Sequence, residues 1–110
     1  GLKADFRIDD AAQQAAFLRT KWALGLAGGA VISNPVPVSD EMPAVRIQGF
    51  IEQALAEAQA GGISGKAVTP YLLARIKDLS GGASLVTNIA LVKHNARVGS
   101  ALAVALNQQR

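Results

Sequence analysis

The sequence predicts an α/β fold: a helix-rich piece of an α-β-α layered fold with one buried strand near residues 30–33. Three observations lead to this class. Four stretches repeat apolar residues every three or four positions, which is the helical period. Glycine pairs or prolines separate these stretches. Between two of them residues 30–32 form a short unbroken apolar run, which is typical of a strand covered on both faces.

Length and composition indicate that the chain is part of something larger. Its 110 residues suffice for one compact domain at most. Half of the residues are hydrophobic and only 17% are charged, below the usual quarter of a soluble domain. Such a chain should bury much of its surface against a longer polypeptide or another subunit. A single short strand also cannot form a stable sheet, so the remaining strands are expected from residues outside this sequence.

Charge and cysteine content argue against several classes of protein. The net charge is +3, and the basic residues are scattered rather than grouped in the basic stripe that nucleic-acid binding needs. No cysteine is present, which argues against a disulfide scaffold and a cysteine-based metal site. The longest apolar stretch, residues 22–32, is about half a membrane span. We therefore expect a cytoplasmic protein that binds neither nucleic acid nor membranes.

The first two helices are bounded by capping residues. Asp9 or Asp10 is a plausible N-cap for a helix that runs to about Leu24. Gly25 follows where a left-handed residue commonly ends a helix. The second helix is predicted to begin near residues 40–43 and to end before the next Gly-Gly pair. The predicted strand near residues 30–33 ends before Pro35 and Pro37, because proline cannot donate to a sheet ladder.

Two further helices follow. Thr69 is predicted as the N-cap of the third helix, with Pro70 at its first position. Residues 81–82, both glycine, end that helix. The last helix is predicted to run from about Ser84 to about Asn107.

The last helix places two amide side chains on its predicted apolar face. With Asn88 at 0° on a helical wheel, Asn95 falls near −20°, while Lys93, Arg97 and Ser100 form a solvated stripe between roughly 120° and 180°. A primary amide that is buried without partners costs about 1–3 kcal/mol. Each asparagine therefore needs a defined partner. Both a tie to a neighbouring backbone and a contact to a ligand remain open.

Three other positions are candidates for function. Ser33 and Asn34 follow the predicted strand, where ligands bind in open α/β sheets, although an Asx turn into Pro35 is the preferred interpretation of these two residues. Lys66 ends a glycine-rich stretch that lacks phosphate-loop spacing, so it is either a solvated turn lysine or meets an anion at the following helix start. His94 is the only histidine and is interpreted as structural or exposed. No pair of carboxylates is spaced for acid–base catalysis.

Three stretches carry a resemblance to a known family. They read KWALGLAGG followed by NPVP (residues 21–37), GKAVTPYLLARI (residues 65–76), and GGASLVTNIALVKHNAR (residues 81–97). In this order they resemble motifs of the pseudouridine-5′-phosphate glycosidase family, whose members are indigoidine synthase A-like. The likeness covers nearly all of this chain but only about the C-terminal third of a family member. It implies that residues 1–110 are the C-terminal segment of a single glycosidase domain.

The resemblance implies a reversible carbon–carbon glycosidase. Family members interconvert pseudouridine 5′-phosphate and water with uracil and ribose 5-phosphate. A lysine forms a Schiff base with the opened sugar, a glutamate transfers protons and aspartates hold a manganese ion, all upstream of this segment. Lys66 is not that lysine, because its motif is a different one. The resemblance also implies a homotrimer.

Asn88 is the one active-site residue that the resemblance transfers to this chain. It corresponds to a family asparagine on the sugar-phosphate side of the site, and we expect it to take part in substrate binding and catalysis. No metal ligand is expected in this segment. The sequence departs from the family where His94 precedes Asn95, since the family commonly has two asparagines there. The alternative interpretation of the chain is a non-catalytic helical scaffold or oligomerisation domain.

Overall fold

The computed structural model describes residues 3–108, which form four α-helices and two 3₁₀ turns. The helices are α1 (Ala11–Ala23), α2 (Ala44–Ala60), α3 (Val68–Leu79) and α4 (Ala83–Gln108), and the 3₁₀ turns are Val38–Asp40 and Gly65–Ala67. The helix-rich character of the prediction is confirmed. Among these residues, no helix combines the length and hydropathy needed to cross a bilayer.

The described residues separate into two compact units. The first unit comprises residues 3–34 and 93–108, and the second unit comprises residues 35–92. Helix α4 therefore contributes its first part to the second unit and its remainder to the first unit. Whether residues 1–110 belong to a single domain of a longer protein stays a prediction.

In the first unit, α1 begins and ends where its capping residues predict. The Asp10 carboxylate accepts a hydrogen bond from the Gln13 backbone N–H at 3.0 Å, which satisfies one of the amides that a helix start leaves unpaired. At the other end Gly25 has a φ of 78°, a conformation that strains side chains with a Cβ. Lys21 then donates to the carbonyls of Leu26 and Gly28, which fastens the loop that follows the helix.

The core of the first unit lies between α1 and the end of α4. Its buried residues are Ala15, Leu18, Leu102 and Ala105, with Ala11 and Leu106 at the edge. Burial of a leucine side chain contributes about 1.5–3 kcal/mol. Across the same contact the Arg19 guanidinium donates a hydrogen bond to the Leu106 carbonyl near the end of α4.

In the second unit, α2 and α3 pack against each other through small residues and one ion pair. Ala54 and Ala58 are buried on α2. Between them in sequence, Glu57 accepts from the Arg75 guanidinium at two atoms, with Arg75 Nη2 3.1 Å from Glu57 Oε1. Hydrogen bonds from Arg75 and, to a smaller extent, from Gln53 lower the pKa of the Glu57 carboxyl to about 2. Glu57 in turn raises the pKa of Arg75.

The predicted start of the third helix is wrong by two residues. Helix α3 begins at Val68, directly after the 3₁₀ turn Gly65–Ala67, and its cap position is Ala67 rather than Thr69. Pro70 is consequently the third helical residue. A proline is tolerated there because the first amides of a helix have no intrahelical acceptor.

The predicted buried strand near residues 30–33 is not found in the described part of the chain. Residues 30–33 are exposed and non-helical, with Val31 98% and Ile32 40% accessible to solvent. A strand needs a neighbouring strand to accept and donate its backbone hydrogen bonds. Residues 3–108 contain no such neighbour, so the apolar run stays uncovered.

The buried face of α4 also differs from the predicted one. In the first unit its buried residues are Leu102 and Ala105, which lie near −40° and −100° when Asn88 defines 0°. The buried stripe is therefore rotated by roughly 70° from the predicted apolar face. Apolar residues continue around the other sides, since Val86 and Val104 are 67% and 55% exposed. The sequence pattern of α4 did not single out one face for that reason.

Candidate functional site

A cavity of about 820 Å³ lies within the second unit. Most of its wall is apolar, formed by residues such as Val36, Met42, Ile47, Leu73 and Leu91. Its polar lining consists of Glu41, Lys77, Ser84, Thr87 and Asn88. Cavities of about 300–1,000 Å³ with apolar walls and a few polar groups are characteristic of small-molecule sites. Among the described residues, this cavity is the best candidate for a binding site.

The junction between α3 and α4 positions one side of the cavity. Ser80 connects the two helices and is only 5% exposed. Its hydroxyl donates to the Lys77 carbonyl at 3.1 Å and accepts from the Ser84 backbone N–H at 3.0 Å. This bridge fixes the end of α3 relative to the start of α4, and therefore the positions of Lys77 and Ser84 in the wall.

Another part of the wall is the segment of residues 35–42, which contains the 3₁₀ turn Val38–Asp40. The Thr87 hydroxyl on α4 donates to the Asp40 carbonyl at 3.3 Å. Thr87 and its neighbour Asn88 both line the cavity. This hydrogen bond therefore joins the segment of residues 35–42 to α4 at the position next to Asn88.

Two charged side chains of opposite sign line the cavity. They are Glu41 and Lys77, and neither forms an ion pair with another residue between 3 and 108. An unpaired ammonium group on the wall favours a ligand that carries a negative charge, such as a phosphate ester. The unpaired carboxylate can accept hydrogen bonds from hydroxyl or N–H groups.

Asn88 lines this cavity but is not buried as the wheel predicted. It is exposed on α4, and its amide makes no hydrogen bond to another residue of the described range. The premise of a buried amide is therefore wrong, because no residue in the part of α4 that belongs to the second unit is buried. A tie to a neighbouring backbone is not found in residues 3–108, and the donors and acceptor of Asn88 are available to a ligand.

Asn95, also exposed, has a different environment in the first unit. Its side-chain oxygen accepts a hydrogen bond from the Asn34 amide at 3.1 Å. The structural interpretation of Asn95 is supported, although the partner is a side chain rather than backbone. Asn34 itself is partly buried and is engaged in this contact, while Ser33 before it is exposed.

The other candidates do not line the cavity. Lys66 is exposed within the 3₁₀ turn Gly65–Ala67. His94 is partly buried on α4 in the first unit, close to the buried stripe, which fits a structural interpretation. Within residues 3–108 no group of three or more histidine, aspartate or glutamate side chains is arranged to hold a metal ion. The manganese ion, whose ligands are expected outside this segment, stays a prediction.

Sequence reasoning did not identify four residues that organise the second unit. Ser80 has a local signal, because it precedes two glycines at a helix junction. Thr87 and the Glu57–Arg75 pair have none. Their roles depend on which elements meet in space, and no local pattern encodes that.

Comparison with known proteins gives one family and several close relatives. Residues 1–105 match the protein family described as "Indigoidine synthase A like protein". The pseudouridine-5′-phosphate glycosidase of Cupriavidus pinatubonensis is 64% identical over 108 residues, which cover 98% of this chain and 34% of that protein. The enzyme of the same name from Nocardioides sp. is 55% identical over 103 residues, covering 94% and 34% respectively. This chain thus spans about a third of the length of these curated relatives.

A solved structure resembles this chain over nearly its full length. The crystal structure of the prealnumycin C-glycosynthase AlnA in complex with ribulose 5-phosphate superimposes with a TM-score of 0.81 at 28% sequence identity. The match covers 98% of this chain and 38% of AlnA. Nearly all of the chain therefore has a counterpart in a protein that was crystallised with a sugar phosphate.

Proposed function

The chain belongs to the indigoidine synthase A-like protein family, and from this membership we propose that it is part of a pseudouridine-5′-phosphate glycosidase. The complete protein would cleave the carbon–carbon glycosidic bond of pseudouridine 5′-phosphate reversibly with one water molecule, giving uracil and ribose 5-phosphate. The observation that carries this proposal is the identity of 64% to a protein of that name. The match extends over nearly the whole of this chain.

The cavity of the second unit supports the proposal. Its volume of about 820 Å³ lies in the range of small-molecule sites and is large enough for a nucleoside monophosphate. The apolar walls suit a planar base, while the polar groups suit the hydroxyl and phosphate groups of the sugar. Lys77 supplies the positive charge that an anionic substrate requires.

Asn88 is the residue of this chain to which we assign a direct role. Its amide offers two donors and one acceptor, which match the hydroxyl and phosphate oxygens of a sugar phosphate. Holding the sugar in the reactive orientation lowers the entropic part of the barrier. We propose that Asn88 binds substrate in this way and so contributes to catalysis.

The remaining chemistry is assigned to residues that this chain does not contain. Breaking a carbon–carbon bond requires an electron acceptor, and an imine formed by a lysine amine is one. We propose that the lysine, the glutamate that transfers protons and the ligands of a manganese ion lie in the other two thirds of the protein. Asn88 and the charged groups of the cavity then act on the bound sugar phosphate.

The exposed apolar residues of this chain indicate where the rest of the complete protein packs against it. We propose that residues 30–33 form a buried strand there, paired with strands of the remaining polypeptide, because Val31 and Ile32 are apolar and uncovered here. The complete enzyme is proposed to be a cytoplasmic homotrimer.

The test compares the complete protein with the 110-residue chain. Both are incubated with pseudouridine 5′-phosphate and manganese chloride, and uracil is followed by liquid chromatography. Uracil release by the complete protein alone is the expected result. The reverse reaction, formation of pseudouridine 5′-phosphate from uracil and ribose 5-phosphate, is assayed as well. A complete, folded protein that is inactive in both directions would overturn the proposal and favour the scaffold alternative.

A further inference from the structure

The wall segment of residues 35–42 has few means of holding its shape. Its own backbone hydrogen bonds are local: the Asp40 N–H donates to the Pro37 carbonyl at 2.8 Å and the Glu41 N–H donates to the Val38 carbonyl at 3.3 Å. Two prolines, Pro35 and Pro37, supply no N–H at all. The segment therefore depends on contacts to other elements for its position.

Thr87 provides such a contact. Its hydroxyl donates to the Asp40 carbonyl at 3.3 Å, and in the described part of the chain this is the hydrogen bond that connects residues 35–42 with α4. Asp40 lies between Val38 and Glu41, which both line the cavity. A displacement of the Asp40 carbonyl would therefore move the wall itself.

Thr87 also stands next to Asn88 on α4, and both line the cavity. The Thr87–Asp40 hydrogen bond therefore connects residues 35–42 with α4 at the position next to Asn88. At 3.3 Å this bond is long for a hydroxyl donor. Its contribution to global stability is accordingly small, and its effect should appear in the shape of the cavity.

We propose that Thr87 is a positioning residue, which holds the wall of residues 35–42 at the distance from Asn88 that substrate binding requires. The proposal rests on the proposed function. It predicts that loss of the hydroxyl weakens substrate binding more than turnover of bound substrate.

The experiment uses the complete protein. Thr87→Val keeps the branched shape without the hydroxyl. Thr87→Ala removes both the hydroxyl and the methyl group, and Thr87→Ser keeps the hydroxyl. Thr20→Val is the matched control, because the Thr20 hydroxyl donates only to the Ala16 carbonyl of its own helix at 2.9 Å. For each variant KM, kcat and the melting temperature are measured, together with the hydrogen exchange of the backbone amides of residues 38–42.

The expected result is a KM raised about threefold or more in both Thr87→Val and Thr87→Ala, with kcat within about twofold of wild type. The amides of residues 38–42 should exchange faster, and the melting temperature should change little. Thr87→Ser and Thr20→Val should resemble wild type in all four measurements.

Two outcomes would overturn the inference alone: an active wild type with unchanged KM in Thr87→Val and Thr87→Ala, or a Thr87→Ser variant as impaired as Thr87→Val. A wild-type protein that releases no uracil would instead refute the proposed function, and the inference with it.

Discussion

The Asn34 side chain donates a hydrogen bond to the Asn95 side-chain oxygen at 3.1 Å, although 61 positions separate the two residues in sequence. The contact connects the loop that follows α1 with α4 inside the first unit. It gives the exposed Asn95 amide a partner within the unit. Its partner is supplied by a residue that sequence analysis had placed at a separate candidate site.

The first prediction concerns the energy of this pair. In a double-mutant cycle of Asn34→Ala, Asn95→Ala and the double variant, we expect a coupling free energy of about 0.5–1 kcal/mol, the usual net value of a neutral hydrogen bond. Urea unfolding of the complete protein measures it. Turnover per folded molecule should stay near the wild-type value in Asn95→Ala. Strictly additive single effects would show that the two side chains do not interact.

The second prediction separates Asn88 from the other asparagines of α4. Asn88→Ala should lower kcat/KM by about tenfold or more, equivalent to about 1.4 kcal/mol of transition-state stabilisation. Its melting temperature should change little, because the side chain is exposed and has no partner among residues 3–108. Asn107→Ala, also on an exposed residue of α4, is the matched control and should be neutral. Full activity of Asn88→Ala with a much lower melting temperature would refute the assignment.

The third prediction is a dependence of stability on acid pH. The folded-state pKa of Glu57 is about 2, below the ordinary value of 4.5, so folding favours its ionised form. The stabilisation that Glu57 gains from Arg75 is therefore fully present above pH 4.5 and is lost as the pH falls from there towards 2. The difference in unfolding free energy between wild type and Glu57→Gln should shrink over that range.

Urea unfolding at pH 6, 4 and 3 measures this difference. The control is Asp9→Asn, which removes the carboxylate of the highly exposed Arg7–Asp9 pair. Such surface pairs contribute little to stability, so this variant should follow wild type at every pH. A Glu57→Gln variant whose deficit is the same at pH 6 and pH 3 would contradict the role of the ion pair.

How far the sequence predicted the fold depends on the kind of signal. The bounds of α1 and α4 agree with the prediction to within about one residue, because caps and glycines act on the backbone locally. The start of α3 was misplaced, since Thr69 and Pro70 form a common start signal but an earlier 3₁₀ turn leads directly into the helix. Local signals thus predicted which segments are helical more accurately than they predicted the first residue of each helix.

Faces and partners were harder to predict than elements. The buried side of α4 was misassigned because its apolar residues surround the helix, so packing rather than periodicity selects the face. The strand near residues 30–33 was predicted from a pattern that is meaningful only when neighbouring strands are present. Asn88 was found through the family motif, whereas its place in a cavity wall depends on α3 and the segment of residues 35–42.

The fourth prediction uses two glycines with opposite roles. Gly49 lies inside α2, and a Cβ added there would meet nothing within 4 Å. Gly49→Ala should therefore stabilise the protein by about 0.5–1 kcal/mol, because alanine loses less entropy in a helix. Gly25 has a φ of 78°, so Gly25→Ala should destabilise it by about 1–2 kcal/mol. Thermal unfolding checks both signs, and equal effects would contradict the backbone argument.

The fifth prediction concerns the 110-residue chain on its own. Large apolar side chains are exposed, including Phe6 at 68%, Leu24 at 72% and Val31 at 98%. Exposed apolar area of this kind favours association. We expect the chain to self-associate in size-exclusion chromatography and to bind an apolar dye. A monodisperse monomer with cooperative unfolding and no dye binding would show that these apolar surfaces do not drive association.

The most deeply buried side chains of both units are alanines. Ala15 and Ala54 have no accessible surface, Ala58 has 3%, and none of the larger side chains among residues 3–108 is fully buried. Truncation, the usual way to damage a protein interior, has almost nothing to remove at these positions. Enlargement is the hazard, since extra methylene groups in a packed interior shift side chains and backbone at a cost of about 1–3 kcal/mol. The volume of the side chain therefore limits which substitutions these positions accept during evolution. Glycine and serine should be tolerated there more often than valine or leucine.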